Sequence, residues 1–225
     1  MGLPAIGSYP MPDRSTLPRS CVPWSVDPDR AALLILDMQH HFVGPFPTER
    51  SPVTELVENI ATLRELAASL GMPVVFSAEP AAGPTARRGP AADAADVQGP
   101  GTDGEPDAGA IIAPLAPRPG EHLLPNARPN AFLRSRLGWL LRSEKRDQLI
   151  VCGVYAHLGV LLTAADAFMN DIQPFVVADA VADLTAEEHA MALRWAARSG
   201  VVCTTDALLR DLLLGRAARD ARRDA

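Results

Sequence analysis

Residues 31–37 read AALLILD: six apolar residues in an unbroken run, ending on the carboxylate of Asp37. A continuous apolar run of this length fits a strand buried on both faces, as in parallel sheets. A carboxylate at the C-terminal end of such a strand is a common place for α/β chemistry. Working outward, Ser51-Pro52 is read as opening a helix, with Ser51 as N-cap and Pro52 in the first turn. Val53, Leu56, Ile60, Leu63 and Leu66 give that helix its apolar stripe, and Gly71 ends it. MPVVFSA, 72–78, is a second strand, which makes a parallel strand–helix–strand unit.

The alternation continues in the second half. Asn130 can cap a helix running to about Arg142, and QLIVCGV, 148–154, is a strand. A helix from about His157 to Asn170 and a strand QPFVVAD, 173–179, follow. Thr185 and Glu188 form a capping box for a helix that ends at Gly200. VVCTT, 201–205, is the last strand and 206–219 the last helix. Strands alternating with helices predict one three-layer α/β domain over 1–225 with a mostly parallel sheet. Three segments fall outside the pattern. Residues 1–28 are read as an extended arm over the surface, and 216–225 as a frayed, solvated tail. Residues 79–129 carry ten prolines and read as a lid or binding loop, with His122-Leu123-Leu124 as a short strand inside it.

Composition removes several classes of function. The net charge is −6, which gives no support for nucleic acid or an anionic membrane as partner. No apolar run is long enough to span a bilayer, and the N-terminus lacks the pattern of a signal peptide, so the expected compartment is the cytoplasm. Cys21, Cys152 and Cys203 are too few and too far apart for a disulfide framework or a zinc site. Neither GxGxxG nor GxxxxGK[ST] occurs, so no nucleotide cofactor is expected, and no GxSxG elbow supports a serine hydrolase. Adjacent His40 and His41 point in different directions on most backbones, so they are not read as metal ligands.

Two segments remain as carriers of chemistry. Asp37 is a candidate general acid or base. CGVYAHLGV, 152–160, joins a buried strand to a helix start at the same sheet edge, where backbone N–H groups favour developing negative charge. Together with SYPMP, VPWSVDPDRAALLILDMQHHF and the long block from Asp147 to Ala197, they resemble the isochorismatase-like hydrolases, most closely the phenazine-type branch. The resemblance runs from about Ile6 to about Leu209. It implies a parallel six-stranded sheet, no metal or nucleotide cofactor, a small-molecule substrate and a homodimer. It also implies that Asp37 protonates the enolpyruvyl methylene of a vinyl ether, with Gln39, Phe42, Arg88, Tyr155 and Gly159 around the substrate. Ala156 stands where related cysteine hydrolases have their nucleophile, so covalent amidase chemistry is not expected.

The chain also departs from the family it resembles. The family has a catalytic lysine in a segment like LLTKxRYSAF, whereas residues 123–132 here read LLPNARPNAF. Asn126 therefore stands in the lysine's place and Pro129 in the tyrosine's. Lys145, the only lysine, sits ahead of the strand at 148, at the wrong edge of the sheet. Glu79 replaces a family glutamine, and Gln98 a tryptophan ahead of Gly99-Pro100-Gly101. Two unit charges at about 4 Å interact by about 4 kcal/mol at an effective dielectric of about 20, so these changes disfavour a dianion such as isochorismate. Asp37 and Glu79 can share a proton, which suits a neutral, cationic or singly charged substrate. Three readings stay open: a lysine-free hydrolase on an altered substrate, an ordinary isochorismatase, and a non-catalytic binding relative.

Overall fold

The computed structural model describes residues 5–80 and 108–223, with side chains through residue 217. A six-stranded sheet runs in the order β3-β2-β1-β4-β5-β6, and every pair is parallel. The strands are β1 (Ala31–Leu36), β2 (Val74–Ala78), β3 (His122–Pro125), β4 (Gln148–Val154), β5 (Gln173–Ala182) and β6 (Val201–Cys203). β1 is buried along its whole length, as its unbroken apolar run requires, and a short helix, α1 (His40–Val43), follows it. Leu33 and Ile35 face one core, with Leu56, Ile60 and Leu63 of α2 (Val53–Ser69) and Leu208 and Leu212 of α6 (Thr205–Arg223). Leu34 and Leu36 face the other, with α3 (Leu137–Ser143), α4 (Leu161–Met169) and α5 (Ala186–Ser199). Helices thus cover both faces.

The chain leaves β1 outward to β2 and β3, then crosses back to β4 on the other side of β1. The crevice of a doubly wound sheet opens where this order reverses, above the C-terminal ends of β1 and β4. Gly153 makes that junction close. Its φ is +111°, and an added Cβ would lie 2.1 Å from the Leu36 carbonyl oxygen. Only glycine fits there.

Several local expectations need correction. The helix expected from Asn130 begins only at Leu137, because Asn130 instead accepts from the Phe132 N–H in a side-chain turn and Arg134 takes a positive φ. Pro52, not Ser51, flanks the start of α2, and no side chain caps it. Thr185 accepts from the Glu188 N–H at 3.1 Å, yet Glu188 does not complete the box, since its buried Oε2 has no hydrogen-bond partner. β5 runs three residues past 179, and β6 stops at Cys203 because Thr204 and Thr205 turn into α6. The arm is not merely superficial: Ile6, Tyr9 and Val26 enter the core beside α2 and α6. Of the long Pro-rich segment, residues 108–112 return along 38–41, with the His40, His41 and Ile112 N–H groups bonded across. β3 then forms the sheet edge, so the part from His122 to Pro125 is scaffold rather than lid.

One buried ion pair had no sequence signal. Arg64, on the core face of α2, is 1% exposed. Its guanidinium donates twice to Glu121, at 2.6 Å each, and once to the Ala116 carbonyl at 2.7 Å. This fork ties α2 to the chain entering β3.

Candidate active site

The crevice holds a pocket of about 400 Å³, mouth included. Asp37, Phe42 and Glu79 line it from the ends of β1 and β2, with the 126–129 loop after β3 opposite. Val154, Tyr155, Leu158 and Gly159 close it from β4 and the π turn Ala156–Val160 that follows. Asp37 has φ +52°, a left-handed conformation that aspartate tolerates. Burial pushes its carboxyl well above the usual range, and the charge of Glu79 adds to this. The nearby Ser77 hydroxyl opposes the shift by favouring the charged form.

The other predicted residues separate into two groups. Phe42 and Tyr155 form an apolar wall, and the Tyr155 hydroxyl donates to the Phe42 carbonyl at 2.7 Å, so the ring rather than the hydroxyl serves the pocket. Gly159 is where the π turn approaches the acid: an added Cβ would be 3.2 Å from the Val154 oxygen and 3.7 Å from Asp37 Oδ2. Asn126 lines the pocket, but its amide serves its own loop. It donates to the Arg128 and Asn130 carbonyls, at 2.6 and 3.3 Å, and accepts from the Arg128 N–H at 3.1 Å.

Gln39 and Ala156 are fully buried and not among the pocket's lining residues. The Gln39 amide instead clamps the backbone of Glu79, accepting from its N–H at 2.7 Å and donating to its carbonyl at 2.9 Å. Gln39 acts on the pocket only by fixing where Glu79 leaves β2. Arg88 and Gln98 lie outside the described residues. Cys152 is buried, and desolvation raises its thiol strongly, which makes it inert. Burial pushes Cys203 up to about 12.

Sequence reasoning missed Arg128 as a pocket residue and missed three groups behind the walls. Arg128 lines the pocket beside Asn126. Asp183, at the end of β5, accepts from the His157 backbone N–H and ring Nδ1, both at 2.6 Å. Tyr9 of the arm accepts from the Asp183 N–H at 2.7 Å. His157, Asp183 and Glu188 bring three metal-type ligand atoms within 4.8 Å of one another, but the first two are already committed to each other. The third is His41, whose Nε2 lies 3.5 Å from Glu79 Oε2. Two histidines side by side hid it, because only one of them, His41, turns inward.

The isochorismatase domain family matches residues 31–207. The chain belongs to the isochorismatase family. It is 44% identical over 206 residues to a "Probable isochorismatase" of Pseudomonas chlororaphis, covering 91% of this chain and 97% of that protein. It is 46% identical to the "Isochorismatase" of Bacillus subtilis (strain 168), over 94% of this chain and 67% of that one. The phenazine biosynthesis protein PhzD of Pseudomonas fluorescens is 44% identical over 91% of this chain and 97% of its own length. In fold, a cysteine hydrolase from Pseudomonas syringae pv. phaseolicola 1448A superposes with a TM-score of 0.75 at 21% identity, over 88% of this chain and 98% of that one. This isochorismatase-family hydrolase has, among its described residues, no helix long and apolar enough to cross a membrane.

Proposed function

We propose that the protein hydrolyses a vinyl ether, or a closely related bond, in a small chorismate-type metabolite, with Asp37 as the proton donor. The observation that carries this reading is a carboxyl at the sheet's reversal point whose surroundings favour the neutral form. Protonation of the enolpyruvyl methylene is general-acid chemistry, and it needs an acid that keeps its proton near neutral pH. The apolar wall of Phe42, Tyr155 and Leu158 supplies the surroundings that keep it. The names of the relatives, isochorismatase and PhzD, point the same way. No cofactor enters this mechanism, and we also infer a cytoplasmic homodimer.

A second reading has one observation in its favour. The Asn126 amide is used up in its loop, so it replaces neither the charge nor the reach of a lysine. Without that cation the fold would serve as a binding protein. Incubation with isochorismate and its 2-amino-2-deoxy analogue, following pyruvate, separates the two. Hydrolysis is expected to fall by about 10²–10⁴-fold in Asp37→Asn. Turnover unchanged by that substitution would refute the role given to Asp37. Absence of pyruvate from both substrates would favour the binding reading.

A further inference from the structure

Glu79 does not stand alone at the pocket edge. Its backbone is fixed by Gln39, and its carboxyl faces His41 Nε2 at 3.5 Å. The His41 side chain is 3% exposed and that of Glu79 10%. The ring is held on its other side, where Nδ1 lies 2.7 Å from the Ala108 carbonyl, an acceptor that only an N–H can satisfy. The Phe42 ring packs over it, with centroids 3.9 Å apart. Nε2 is buried and faces the Glu79 carboxylate; because Nδ1 already carries the proton given to Ala108, the ring can hold that carboxylate only as the imidazolium, as one half of an ion pair. A buried polar nitrogen held this way needs a function or a cost to explain it.

We propose that Glu79 and His41 form a second acid–base unit facing Asp37: Glu79 takes the proton of the attacking water, and His41 is the positioning residue that holds its carboxylate ready. This rests on the hydrolase reading and completes its proton balance. Asp37 gives its proton to the methylene carbon, which becomes a methyl group and leaves an oxocarbenium. Water adds to the oxygen-bearing carbon of that oxocarbenium and loses a proton to Glu79, which gives a hemiketal. The hemiketal hydroxyl then returns a proton to Asp37 as the carbonyl forms. The departing alkoxide takes the proton held by Glu79, giving pyruvate and a free alcohol with both carboxyls restored.

The charged and titratable neighbours can be named among the described residues. Asp37, Glu79, Arg128 and Tyr155 line the pocket, Asp183 acts on Tyr155 from behind, and His41 backs Glu79. Asp37 and Glu79 raise one another's cost of ionising, so a base at Glu79 helps keep the acid at Asp37.

Two measurements test the pair. The first uses carboxyl ¹³C NMR against pH and requires no turnover, so it stands or falls apart from the hydrolase reading. In Glu79→Gln the Asp37 carboxyl is expected to titrate at lower pH, and in His41→Gln the Glu79 carboxyl at higher pH, with unchanged circular dichroism. Midpoints unmoved in either variant would overturn the proposal. The second follows pyruvate release from isochorismate or its amino analogue. Glu79→Gln is expected to lower kcat about 10²-fold, to change KM little, and to abolish the fall in kcat on the acid side. His41→Gln is expected to lower kcat in the wild-type background and to do nothing further in Glu79→Gln. Additive losses, or an effect confined to KM, would overturn the pairing.

Discussion

Asp37 shows how a carboxyl can be kept in its neutral form at the expense of stability. Burial, with Glu79 beside it, lifts its carboxyl above the ordinary 3.8. Well below that value the group is protonated in both folded and unfolded chains and contributes nothing. Above it the unfolded chain releases the proton while the folded protein must keep it or bury a charge, so stability falls as pH rises. Asp37→Asn is therefore expected to raise the melting temperature at about pH 8 and to leave it unchanged at about pH 3. Equal melting at both pH values would mean that the carboxyl is not desolvated. Gly153 works in the opposite sense. A methyl group at its Cα would strike the Leu36 backbone, which cannot retreat without parting β1 from β4. Gly153→Ala is expected to cost about 3 kcal/mol or more in chemical denaturation, from overpacking and a positive φ together. AALLILD announced Asp37 by its place at a strand end. QLIVCGV gave no hint that its glycine was compulsory, because the contact is with a residue more than a hundred positions away.

At the scale of elements, the β3 edge depends on two small constructions. The Asn126 turn shapes the 126–130 loop, and the Arg64–Glu121 fork fastens the chain entering β3 to α2. Burial pushes Glu121 up, but its bonds to Arg64 and to the Arg118 N–H outweigh this and hold it below its usual range. Arg64→Met leaves that carboxylate without its partner and is expected to destabilise by about 3–5 kcal/mol in urea. Arg64→Met with Glu121→Gln should recover much of the loss, since no buried charge is then stranded. A double variant no better than the single one would show that packing, not charge, dominates. The helices and strands themselves were mostly legible, because a 3.6-residue stripe or an unbroken apolar run is a local pattern. The failures were at ends: Asn130 offered a helix cap and was used for a side-chain turn, and Thr204 and Thr205 continued a strand pattern but began a helix. Ser, Thr and Asn side chains bond their own backbone in either setting, so their presence marks an end without saying which kind.

For the whole molecule, the placement of the site follows from chain order. β1 and β4 become neighbours only because the connection after β3 returns to the middle of the sheet, and this sets Asp37 against Tyr155 and Gly159. The arm reaches the same place from behind, through Tyr9, Asp183 and the His157 N–H of the π turn. Its bond to Asp183 holds the His157 imidazole above its ordinary 6.5. That contribution to stability is fully present below pH 6.5 and is lost as pH rises through the folded value. The urea midpoint is expected to decline over that interval in the wild type and to decline less in His157→Gln. An unchanged slope would remove His157 from the account.

The sequence by itself determined the α/β alternation and the buried β1 with its terminal Asp37. Each is carried by residue type and short-range spacing. Only the tertiary structure decided that Gln39 clamps a neighbour instead of facing the pocket, that Asn126 serves its own loop, and that His41 stands behind Glu79. Those assignments depend on which way a side chain turns and what is already there to meet it. Such partners come from distant parts of the chain, and no local pattern encodes them.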